Sequence, residues 1–130
     1  MNLMMEQETF IKLIENNFID KPEVTTEFLD LDKFKNDFTL FVDFSELKFE
    51  DNKLNDDCQE YGKLAVQCYL VLRNDTPKNL NNKLLAHTDN FYHFLKEYDI
   101  NTENIDFYNF ASGTKYIVAA EFSLILDIEV

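Results

Sequence analysis

Residues 116–130 read YIVAAEFSLILDIEV, and their alternation decides the fold. Tyr116, Val118, Ala120, Phe122, Leu124, Leu126, Ile128 and Val130 fall on one parity, while Glu121, Ser123, Asp127 and Glu129 fall on the other. A period of two marks a strand with one apolar face. At about 3.4 Å per residue it would run roughly 50 Å, whereas a compact chain of this length has a diameter of roughly 35 Å. The strand is therefore expected to bend or to project, and a projecting strand offers unpaired backbone groups to another chain. Assembly is the functional theme this stretch suggests.

Working backwards, Ser112-Gly113-Thr114 reads as the turn before it and Ile105 to Phe110 as the preceding strand. Leu80, Leu84, Phe91, Leu95 and Tyr98 recur every three or four residues, so the spacing predicts an amphipathic helix over about 77–98, capped by Asp75 or Thr76 with Pro77 in its first turn. Tyr61 to Arg73 is a further strand. Its Leu64, Val66, Cys68, Leu70 and Leu72 face one way and Ala65, Tyr69 and Val71 the other, and two apolar faces imply a central position. Phe38, Leu40, Val42 and Phe44 give a strand that continues toward Leu47 and Phe49, paired with the former across a polar loop, Glu50 to Cys58. Phe10, Leu13, Ile14 and Phe18 predict a first helix over about 6–18, closed by Pro22, while 24–37 reads as either helix or coil. The expectation is a single α+β domain over 1–130, order α-β-β-α-β-β. Residues 1–37 form an N-terminal helix and connecting segment; 38–130 form a mainly antiparallel four-stranded sheet packed by the long helix.

Composition narrows the function. The 130 residues carry 13 Phe and 6 Tyr but only 2 Gly and 2 Pro, which suits a folded core and no linker. No apolar run approaches a membrane span and no leader pattern stands at Met1 to Gln7, so no membrane partner and a cytoplasmic location are expected. The net charge of −13 argues against binding the outside of a duplex. Seven acids crowd Asp43 to Glu60. Cys58 and Cys68 lack a paired-cysteine spacing, and Cys68 shares parity with core positions, so a buried free thiol is expected and no zinc. His87 and His93 are six apart, about 240° around a helix, and do not form a metalloprotease pair. Asp51, Asn55 and Asp56 fail the EF-hand pattern because Lys53 and Gly62 occupy ligand positions. Two glycines cannot build a phosphate loop or nucleophile elbow. Neither an enzyme nor a cofactor is expected.

Phe38-Thr-Leu-Phe-Val-Asp-Phe, Lys63-Leu-Ala-Val-Gln-Cys-Tyr-Leu-Val-Leu, the helix from Thr76-Pro77 to Tyr98 and the closing strand Tyr116 to Val130 together resemble small bacteriophage tail-completion proteins of the tail-terminator (neck, head–tail joining) type, prophage forms included. The resemblance covers about 38–130 and rests on pattern and element order; the 50–60 loop departs in carrying no glycine. It implies an α+β subunit that closes into a ring, typically hexameric, on the tail tube. The ring would meet tube and head-connector proteins, with DNA passing through. The bacterial cytoplasm during assembly and then the virion tail are the implied locations. On this reading Leu124, Leu126, Ile128, Val130 and Phe41 are the candidate subunit interface, and Glu50, Asp51, Asp56 and Asp57 the candidate lumen-facing acidic loop. The competing reading is a small cytoplasmic accessory or binding module with a pocket lined by Phe41, Tyr69, Phe107 and Tyr108.

Overall fold

The computed structural model describes residues 2–27, 37–50, 61–113 and 115–129, without the side chains of Glu50 and Ser112. Among them are two helices, α1 (Leu3–Asn17) and α2 (Leu80–Glu97), and five strands. The strands are β1 (Glu23–Thr25), β2 (Phe38–Glu50), β3 (Tyr61–Asn74), β4 (Asn101–Ser112) and β5 (Lys115–Glu129). They form one mixed sheet in the order β1-β2-β3-β5-β4. The α+β class, the two long hairpins and the helix between them are as the periodicities predict.

Two corrections follow. The sheet is mainly antiparallel, as expected, but has five strands, not four, because β1 pairs in parallel with Thr39–Phe41 of β2. The element order is accordingly α-β-β-β-α-β-β. At three residues β1 is too short to show a period. The second concerns α2, which begins at Leu80, because Asn79 takes a left-handed conformation (φ 61°) and Leu80 N–H bonds back to the Pro77 carbonyl. Thr76 N–H is taken by the Asn74 side chain at the end of β3, so 75–79 forms a bend and turn and not a helix start.

Both helices lie on one face of the sheet. Phe10, Ile14 and Phe18 from α1 and Leu80, Leu84, Phe91, Phe94 and Leu95 from α2 share a core with Leu40, Val66, Cys68, Leu70, Ala120, Phe122 and Leu124. Phe91 is the hub. Its ring meets Phe18 at 5.1 Å, Phe94 at 5.8 Å and Phe122 edge-on at 4.9 Å, tying both helices to β5. Such aromatic contacts add about 0.5–1.5 kcal/mol each beyond area burial. The opposite face buries Thr39, Val71, Ile117 and Ala119. Apolar side chains on both faces of β3 and β5 suit their central positions. Cys68 is a fully buried free thiol, and desolvation raises its pKa far above the ordinary range.

Helix α2 ends in a Schellman motif: Ile100 N–H donates to the Leu95 carbonyl and Asp99 N–H to that of Lys96. Asp99 takes the left-handed position, φ 55°. The motif turns the chain directly into β4, while Gly113, φ 59°, supplies the left-handed residue of the β4–β5 turn.

Candidate assembly surface

A sheet binds other chains at its edges or on an exposed face. On one rim, β1 covers β2 only at Thr39, Leu40 and Phe41, and no other described strand pairs with the outer side of β2 from Val42 to Glu50. On the other rim stands β4, 12 residues long, which among the described strands pairs with β5 alone. Natural edge strands are normally short, charged or covered. Strand β4 instead exposes Phe107, Tyr108 and Phe110.

Each rim carries a depression on the helix side. Beside β4, an open groove of about 550 Å³ is lined by Leu85, Thr88, Tyr92 and Ile105. Beside β2, a hollow of about 450 Å³ lies among Leu3, Met4, Val42, Phe44 and Leu47. Phe49, at the end of β2, is 58% exposed and Phe107 is 52% exposed. These rim residues were not singled out as interface in the sequence, though three aromatics within Phe107 to Phe110 were a legible signal.

The residues expected at an interface lie elsewhere. Leu124 and Ile128 are buried in the chain's own core, with Leu126 packed against it. Their side chains face helices of the same chain, so the apolar face of β5 is no surface. Strand β5 is also internal: β4 flanks it as far as Ile125, and only Leu126 to Glu129 extends past that rim, paired with β3 alone. Phe41 is half-buried on the helix-free face, against Tyr69 at 5.7 Å. Val130, Asp51, Asp56 and Asp57 lie outside the described residues, as does the Glu50 side chain.

Of the four expected pocket aromatics, three share the helix-free face and one does not. Register places Phe41, Tyr69 and Tyr108 on that face, while Phe107 aligns with Ala120 on the helix side. Between Tyr69 and Tyr108 sits Glu121, whose carboxylate accepts both phenol hydroxyls, at 3.1 Å and 2.7 Å. Burial first, then the Glu121 hydrogen bond and charge, push the Tyr69 pKa up to about 12. The Tyr108 pKa is also raised, mainly by the bond to Glu121. Alongside, Ser123 Oγ donates to Gln67 Oε1 at 2.9 Å. The hydroxyls are engaged within the sheet, so this face is a closed polar lattice with an aromatic border.

The histidines play separate local parts. His87 Nδ1–H donates to Asp20 Oδ2 at 2.7 Å while its ring stacks on Phe38, and Asn90 donates to the same carboxylate. This locks the chain after α1 onto α2. His93 pairs with Asp89 in solvent. Among the described residues no three His, Cys, Asp or Glu side chains gather to hold a metal ion, and no helix is long and apolar enough to cross a membrane.

No protein-family model matches the chain, and no curated protein matches it.

Proposed function

We propose that this chain is a structural, non-enzymatic subunit that closes into a ring of the tail-terminator kind, capping a phage or prophage tail tube and joining it to the head. The observation that carries this is the pair of open rims on opposite sides of one sheet. Strand β2 runs parallel to β5 and opposite to β3 and β4. A second copy in the same orientation therefore presents its β2 antiparallel to the first copy's β4. That is a head-to-tail contact, which generates a ring when the rotation closes. The surplus of acids, densest from Asp43 to Glu60, would keep a DNA-filled lumen from adhering.

Native mass spectrometry over a range of protein concentration and salt tests the reading. Each copy carries −13, so raising salt should favour assembly. The expected result is one discrete closed oligomer built from 15.4 kDa subunits. A strict monomer under all conditions would overturn the self-assembling ring.

A further inference from the structure

The ring reading leaves the subunit contact unspecified, and the two rims specify it. Strand β2 and strand β4 each alternate between the helix side and the helix-free side. On β2, Leu47 and Phe49 align with Leu64 and Gly62 on the helix side, and Lys48 aligns with Lys63 on the other. On β4, Ile105 and Phe107 align with Phe122 and Ala120 on the helix side, while Asp106 aligns with Glu121 on the other.

Resting on the ring reading, we infer that β4 of one copy pairs antiparallel with β2 of the next, with Lys48 opposite Asp106, Leu47 opposite Phe107 and Phe49 opposite Ile105. From Glu46 to Phe49 this register keeps each side chain on its proper face, which a one-residue slip would reverse, and the β2 bulge between Phe44 and Glu46 ends the matched stretch. It sets the exposed Lys48 ammonium against an exposed carboxylate in a chain where acids outnumber bases two to one. Among the described residues Lys48 makes a 3.8 Å contact with Glu46, both side chains mostly in solvent. The same register sends Phe107 to the hollow that Leu47 lines and Phe49 to the groove that Ile105 lines. On the helix side each rim thus supplies one exposed phenylalanine and one depression, and the two sets are reciprocal. An isologous β4–β4 dimer would lack this match, because β4 carries no basic residue to meet Glu103 and Asp106.

Directly opposed antiparallel residues hold their Cα atoms about 4.5–5.5 Å apart, inside the range of about 4.4–6.8 Å that a disulfide spans. The test is the full chain with Lys48→Cys and Asp106→Cys in a Cys58→Ser background; Cys68 is buried and stays. Oxidation should yield a covalent ladder ending at the oligomer size seen by native mass spectrometry, with neither single variant forming a ladder. Separately, Lys48→Glu or Asp106→Lys should weaken assembly by about tenfold, and Lys48→Asp with Asp106→Lys together should restore it. A closed oligomer that forms without the 48–106 cross-link overturns this contact and leaves the ring standing. Cross-linking by Asp106→Cys alone shows a two-fold β4 dimer and overturns the contact. A chain monomeric under all conditions overturns the ring reading, and the contact with it.

Discussion

Phe122 and Phe107 occupy the same face of the sheet on adjacent strands, yet one is 0% exposed and the other 52%. Phe122 lies on β5, flanked by β3 and β4, with the Phe91 ring edge-on above it. Phe107 lies on the rim, where no further described strand follows β4. Identical side chains in identical alternation thus have different tasks, set only by how many strands follow. The centre of the sheet holds the chain together, while the described rim leaves large side chains exposed.

The largest expected effect breaks the centre. Phe91→Ala removes the ring shared by Phe18, Phe94 and Phe122 and should cost about 3–5 kcal/mol in urea unfolding, through lost transfer energy plus a cavity. A cost below about 1 kcal/mol would mean that this cluster is not the hub of the core.

A smaller effect belongs to the helix-free face. Tyr69 has a folded pKa pushed up to about 12, above the ordinary 10, and Tyr108 moves in the same direction. Raised folded values mean that the neutral phenols contribute stability in full below pH 10. That stability is lost as pH rises from 10 through about 12, because the unfolded chain releases its protons first. Stability measured against pH should fall over that window. Tyr69→Phe should flatten the fall, at a cost of about 1 kcal/mol near neutral pH for the lost bond to Glu121. An unchanged slope would show that Tyr69 does not titrate against Glu121.

The sheet's centre was legible in the sequence and its rims were not, for a physical reason. Strands β2, β3 and β5 each bury one face under the helices, so burial writes a period of two into them. An edge strand is under weaker demand. Asn101 to Asn104 is polar and reads as loop, although it belongs to β4, and three-residue β1 carries no readable period. Strand order was also hidden. The two hairpins join sequence neighbours, but the β3–β5 seam that unites them is non-local. Leu124 and Ile128 read as interface candidates because an apolar stripe reads alike whether it is covered by the chain's own helix or by a neighbour, and here the chain's own helices cover it. Ile117, Val118, Ala119 and Ala120, buried in succession, were the sign that β5 lies inside the sheet.

The junction between centre and rim can be strengthened without touching either. Asp99 holds a left-handed backbone at the end of α2, a conformation that costs a side-chain-bearing residue about 1 kcal/mol relative to glycine. Asp99→Gly should raise stability by up to about 1 kcal/mol in thermal or urea unfolding and leave oligomer size unchanged. A loss of stability would mean that the Asp99 side chain contributes more than its backbone strain costs.

The smallest expected effect on folding is the most informative about the rim. Phe107→Ser takes away a ring that is half in solvent and leaves no cavity, so it should change the unfolding free energy by no more than about 0.5 kcal/mol. Its effect on assembly should be large, because the ring that fills the neighbour's hollow beside Leu47 is gone. Native mass spectrometry and urea unfolding on the same sample separate the two. If Phe107→Ser lowers stability as Phe91→Ala does, the rim is an ordinary part of the core and the contrast between Phe122 and Phe107 collapses. If it leaves both folding and oligomer size untouched, β4 is an edge but not the joining edge. Loss of assembly with folding intact is the one outcome that makes the exposed aromatic edge a functional surface.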